Sequence, residues 1–269
     1  MDPATIWGER WLHCDLSIAR TYMEVAYHKQ SLVVLAADKR TMEELNQLID
    51  DVGDYISALK THVDLIDDWS KEGWKEFISK AKQKRLLIFE DRKHGDIGKI
   101  AKKQMGGVYN SRVWADLITA HLISGISVLD GIQEAWNEVD REGGVLILAQ
   151  MSSEGNLLEL PGYTDSVVNL GKSHSACFGF IGNGSRPNEL IKLREKVGEG
   201  KMIWTPGVNL NPNEARLGQR YGDPKEAILS GSDAIIIGSG IHNAEDPKEA
   251  AKKYAEISWN ALLQRCELQ

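Results

Sequence analysis

Cysteine is scarce in this chain of 269 residues: Cys14, Cys177 and Cys266 are all it has. An odd, scattered set gives neither a disulfide framework nor the paired spacing of a metal site, so a reducing, cytoplasmic setting is expected and no metal centre. No apolar run comes near the ~18 residues that a membrane helix needs, and no secretory pattern is recognisable, so a soluble protein with no membrane contact is expected. Basic excess is lacking too. Lys and Arg total 32 against 39 Asp and Glu, a net charge of −7, which argues against a nucleic-acid partner. Of only seven prolines, Pro187, Pro224 and Pro247 stand where helices should begin, the position proline tolerates best. Linkers, low-complexity tracts and sequence repeats are missing as well, which leaves one domain over residues 1–269.

What the chain does have is 42% hydrophobic residues, arranged as short apolar runs between amphipathic segments. Strands are expected at 32–37, 56–60, 86–90, 117–120, 145–150, 177–181, 202–205 and 234–237. Several are apolar at successive positions, as parallel strands covered on both faces must be. Helical patterns fall between them, for example at 42–51, 131–139, 187–197 and 247–264. Eight strand–helix alternations at this length favour a closed (β/α)8 barrel, a TIM barrel, over an open sheet. Before the first strand, residues 7–28 show helical periodicity through Leu12, Ile18, Tyr22 and Val25. This N-terminal helical segment, about 1–29, is expected to lie across the bottom of the barrel.

In such barrels chemistry gathers at the C-terminal ends of the strands. Read in order, those ends offer Asp38, then Lys60 and His62, then Asp91, Lys93 and Asp96, then Ser152 and Ser153, Asn183, Pro206-Gly207 and Gly238-Ser239. Six ionisable groups from three consecutive strands would thus converge on one rim. A single acid there could simply pair with a lysine for stability, but burying the whole set without a task is costly. Asp91 and Lys93 are two apart and would project to the same side of an extended strand. A carboxylate forced beside Asp91 would be repelled, and the carbanion left after loss of CO2 would find the Lys93 ammonium. That pattern suits decarboxylation without a cofactor. Residues 217–222, Leu-Gly-Gln-Arg-Tyr-Gly, read as a mobile loop over the mouth. Gly238-Ser239-Gly240 could bring backbone N–H groups to a phosphate, or could be a plain turn.

With these residues in view, the chain resembles the orotidine 5′-phosphate decarboxylase family, especially its eukaryotic type. The likeness rests on Lys60-Thr61-His62-Val63-Asp64, Phe89-Glu90-Asp91-Arg92-Lys93 with Asp96-Ile97-Gly98, Trp114-Ala115-Asp116, Thr205-Pro206-Gly207-Val208 and Leu217-Gly218-Gln219 with Tyr221. It implies a charged tetrad of Lys60, Asp91, Lys93 and Asp96, with Lys93 as proton donor and Asp91 facing the carboxylate. Asp38 and Lys60, with His62 nearby, would hold the ribose. Ser152 would read the pyrimidine edge, and Gln219 and Tyr221 would close over the base and phosphate. It also implies a homodimer in which Asp96 and Ile97 enter the partner's site, and neither a metal nor an organic cofactor.

Three departures stand out. Where the family carries a phosphate-binding arginine this chain has Ser239, where it carries a threonine against the ribose 2′-hydroxyl this chain has Ile100, and its usual Phe-Ala is His94-Gly95. Two readings follow. Either Arg220 reaches the phosphate instead, or the substrate is an orotate nucleoside with an altered or absent 5′ group. A Mg2+-dependent sugar-phosphate synthase or epimerase, which uses a similar Asp-x-Lys-x-x-Asp stretch, is the other enzyme class weighed; a barrel that only binds its ligand is the non-enzymatic one.

Overall fold

A computed structural model describes residues 2–211 and 218–267. Leu217, the first residue of the expected loop motif, lies outside them. Eight parallel strands close into a barrel in chain order: β1 Val33–Ala36, β2 Ala58–Thr61, β3 Leu87–His94, β4 Leu117–Ala120, β5 Gly144–Leu148, β6 Cys177–Ile181, β7 Met202–Thr205 and β8 Ala234–Ile237. The ring is sealed where Val33, Val34 and Leu35 pair with Ile235, Ile236 and Ile237. Seven of these strands are buried at every position, the state that largely apolar parallel strands covered on both faces adopt. β4, β6, β7 and β8 have the expected bounds.

β3 departs from expectation. It runs four residues past Glu90, to His94, because its pairing with β4 shifts register between Glu90 and His94 before rejoining at His94 and Ala120. That irregularity is a bulge, and it sits where the charged residues are.

The helices follow their patterns. Met42–Val52 opens with a capping box between Thr41 and Glu44, and Pro187–Val197 begins on its proline. The expected helix at 131–139 is instead Ser127–Asn137. Gly131 inside it lies against the backbone of Gly98, where an added Cβ would stand 2.0 Å from a carbonyl oxygen. Glycine is there for close approach of the helix to Gly98–Gly106, not for a start signal.

The N-terminal segment does cap the bottom, as three helices rather than one: Pro3–Trp7, Glu9–His13 and Ser17–Lys29. Gly8, at φ 51°, makes the first break. Tyr22 of the last helix plugs the barrel, its ring 4.9 Å from that of Trp204 and its hydroxyl donating to the Asp233 carbonyl at 2.7 Å. Trp204 in turn contacts Phe89 and Phe178 edge-on. Beneath this aromatic layer Asp233, wholly buried, is paired with Arg10, Arg194 and Arg265. Among the described residues no helix is long and apolar enough to cross a membrane.

Candidate functional site

The opposite end of the barrel holds a cavity of about 520 Å3. Its floor is charged. Asp38 follows β1, Lys60 sits in β2, and Asp91 and Lys93 sit in β3. The Lys60 ammonium, nearly buried, donates to Asp38 Oδ1 at 3.3 Å and lies 3.6 Å from Asp91 Oδ2. The Lys93 ammonium donates to that same Asp91 oxygen at 2.7 Å. The four groups alternate in sign: Asp38, Lys60, Asp91, Lys93.

His62 completes this end. Its Nε2 is 2.8 Å from the Lys60 ammonium, which has only protons to give, so Nε2 accepts and the ring is neutral. Burial, then the Lys60 charge, holds its pKa below the usual histidine value. For Asp91 burial works the other way. Desolvation alone would raise its carboxyl, but the Lys60 and Lys93 charges together pull it well below the ordinary range. Asp91 is therefore held as a negative charge to well below the pH at which a free carboxylate takes up its proton.

The expected convergence is incomplete in one respect. Asp96 is exposed and stands apart from the floor; its Oδ1 takes the Ile97 N–H at 2.7 Å and its carbonyl takes the Ser124 hydroxyl. Ile97 beside it is 54% exposed. Within one chain the fourth charge is Asp38, not Asp96. The reasoning from extended-strand alternation also fails, although the contact it anticipated is made. Lys93 has φ 51°, a left-handed conformation that costs a non-glycine residue on the order of 1 kcal/mol. Asp91 and Lys93 meet through the bulge.

The other walls carry the neutral groups. Ser152, Pro206, Gln219, Tyr221, Gly238 and Ser239 all line the cavity. The Gln219 amide donates to Ser152 Oγ at 2.7 Å, and Gln219 also bridges Ser153 through the backbone, which ties the described part of the loop to the end of β5. Gly207, at φ 78°, lets the β7 turn pass within contact of the Ser152 side chain. Arg220 does not fit its expected role. Its guanidinium points out of the cavity, held by the Ser152 and Ser153 carbonyls and by Glu159 at 2.6 Å, three acceptors that compensate its charge away from the mouth. Ile100 lies in the helix Gly98–Gly106, outside this chain's own cavity.

Sequence reasoning passed over several lining groups, chiefly Thr119, Gln150, Asn209 and His242. Thr119 could have been found, since it is the single hydroxyl in the apolar run of β4. His242 returns to the mouth one helical turn after Gly238, on the short helix Ser239–His242. Its Nδ1 meets Asn243 Oδ1, and burial lowers its pKa. Among the described residues, Lys60 and Lys93 are the lysines or arginines lining the cavity, and both face Asp91. No group of three or more His, Cys, Asp or Glu there is arranged to hold a metal ion.

Glu90, neighbour to Asp91, points outward from the barrel and is buried. It accepts from the Thr61 hydroxyl at 2.6 Å and from the Val63 N–H, linking β3 to the segment that carries His62. Burial pushes its carboxyl up to about 8. Between about pH 4.5 and 8 the unfolded chain has released this proton while the folded chain keeps it. Raising pH through that window therefore removes stability. Urea unfolding at pH 5 and pH 8 should show wild type losing ground to Glu90→Gln at the higher pH; equal shifts in both midpoints would contradict this.

The chain matches the model of the "Orotidine 5'-phosphate decarboxylase / HUMPS family" over residues 31–254. It is 38% identical over 252 residues to the orotidine 5′-phosphate decarboxylase of Rhizomucor pusillus, covering 93% of this chain and 92% of that one. To that of Schizosaccharomyces pombe it is 34% identical over 252 residues, covering 92% and 91%. Among solved structures, the orotidine 5′-phosphate decarboxylase of Pyrococcus horikoshii superposes with a TM-score of 0.67 at 27% identity, covering 84% of this chain and 98% of that one. The Methanocaldococcus jannaschii enzyme, solved with the inhibitor BMP, has the same barrel with a TM-score of 0.67 at 21% identity, covering 84% and 97%.

Proposed function

The chain belongs to the orotidine 5′-phosphate decarboxylase / HUMPS family, and we propose that it converts orotidine 5′-monophosphate to UMP and CO2, a step of pyrimidine biosynthesis. The observation that carries the reading is Lys93 Nζ at 2.7 Å from Asp91 Oδ2 on the cavity floor, with Lys60 behind. A substrate carboxylate seated by Asp91 is repelled. At ~4 Å and an effective dielectric of ~20, one such charge contact is worth about 4 kcal/mol. Breaking the C6–carboxylate bond releases CO2 and leaves the electron pair on C6. Lys93 attracts that developing charge and then gives C6 its proton. Both effects grow on the way to the transition state, which is the condition for raising turnover rather than only binding.

The remaining roles follow the same pose. Asp38, Lys60 and His62 hold the ribose, Ser152 and Gln219 face the pyrimidine edge, and Tyr221 with Gly238 and Ser239 lies toward the 5′ end, beside Pro206. Asp96 and Ile97, displayed outward, complete the site of a second copy in a homodimer. Three free thiols, two of them buried, suit the cytoplasm. The chemistry assigned here is carried by side chains and asks for no cofactor.

A second reading has one observation in its favour. The 5′ end presents Ser239 and His242, and the described lysines that line the cavity, Lys60 and Lys93, both face Asp91 on the floor instead. A hydroxyl cannot replace a bidentate cation on a phosphate dianion, so an orotate nucleoside with a different 5′ group would also fit. Steady-state turnover decides between them. Orotidine 5′-monophosphate should surpass orotidine in kcat/KM by at least about a hundredfold, because remote binding energy is used at the reacting carbon. Equal rates for the two would reject the nucleotide assignment.

A further inference from the structure

The bulge in β3 raises a question of support. Lys93 is left-handed and its amide falls between the two registers of the β3–β4 pairing. That N–H is not orphaned. It donates to the hydroxyl oxygen of Thr119, on β4, at 2.8 Å. The same hydroxyl lies 2.8 Å from Asp91 Oδ1. Asp91 is ionised and can only accept, so the Thr119 proton goes to it, and the lone pair of Thr119 serves Lys93.

The partition of the Asp91 carboxylate gives this contact its weight. Lys60, His62 and Lys93 all approach Oδ2, and Thr119 holds Oδ1. Thr119 is 1% exposed, so water does not compete, and its β-branch restricts rotation about χ1. We infer that Thr119 is a positioning residue for the decarboxylation: one hydroxyl fixes both the plane of the Asp91 carboxylate and the backbone from which Lys93 reaches back to it. It closes a ring in which carboxylate, ammonium, amide and hydroxyl set one another. Thr119 touches no reacting atom; it acts through the two residues that do. The inference rests on the decarboxylase reading for its kinetic consequence, but not for its geometry.

The test replaces Thr119 by valine, which keeps the shape and the β-branch and removes both hydrogen bonds, and by serine, which restores the hydroxyl alone. Thr119→Val should lower kcat about ten- to hundredfold, the scale set by a displacement of up to an ångström at a reacting group, with KM within about threefold of wild type. Thr119→Ser should stay within about threefold in both. A valine variant with kcat near wild type, or a serine variant as impaired as valine, overturns the inference. Should valine fail to fold, Thr119→Ala against Thr119→Ser makes the same comparison. Hydrogen exchange at the Lys93 amide supplies a readout without turnover: protection is expected in wild type and in the serine variant and lost in the valine one, and equal protection in all three overturns the inference. A wild-type protein inert toward orotidine 5′-monophosphate would sink the decarboxylase reading, and the exchange result would then decide the role of Thr119.

Discussion

Replacing Lys93 by methionine is expected to lower kcat/KM on orotidine 5′-monophosphate by about 10²- to 10⁴-fold, the range that a positioned proton donor supplies. Lys93 Nζ is the cation closest to Asp91, and its side chain is open to the cavity. Methionine keeps the length and removes both the charge and the proton. Lys93→Arg sharpens the comparison. A guanidinium keeps the attraction to Asp91, but it holds its proton too tightly to donate it. The arginine variant should therefore recover little of the lost rate. Circular dichroism and thermal unfolding should remain close to wild type, since Asp91 retains Lys60 and Thr119. CO2 release at saturating substrate measures the effect. A methionine variant within tenfold of wild type would remove Lys93 from the role of donor.

The second large effect belongs to the other end of the barrel. Asp233→Ala should destabilise the fold by roughly 3–5 kcal/mol, because three guanidinium groups then remain buried with their common counter-ion gone. Arg10, Arg194 and Arg265 all pair with this one carboxylate, which also accepts the Ile203 N–H at 2.8 Å. Burial alone would raise its pKa, and the three arginines reverse that shift. For a chain of this size such a loss corresponds to a fall in Tm of roughly 6–20 °C. At a temperature where the variant is folded, kcat should match wild type, since the aromatic layer of Tyr22, Trp204, Phe89 and Phe178 separates Asp233 from the cavity floor. A change in Tm below 2 °C, or a parallel loss of kcat, would contradict the account.

The barrel was legible in the sequence because its physical cause is local. Unbroken apolar runs of four or five residues have one comfortable place, a parallel strand buried on both faces, and β4, β6, β7 and β8 came out with their expected ends. Lys60, Asp91 and Lys93 were legible for a related reason: a charge at the end of such a run has nowhere to go but the rim. What stayed hidden depends on partners distant in sequence. The left-handed turn at Lys93 rests on Thr119, 26 residues on. The outward course of Arg220 rests on Glu159, 61 residues back. The place of Asp96, outside the floor of its own chain, depends on a turn that alternation along a strand does not describe. The break at Gly8 had a visible signal, a glycine amid helical periodicity, which the repeat of apolar residues outweighed.

The two ends of this barrel are secured by separate sets of side chains, an arginine–aspartate knot below and a charged array above. Rim residues such as Ser239 can therefore be exchanged in a lineage while the frame still folds. A scaffold so divided lets selection try new ligands at little risk to the whole.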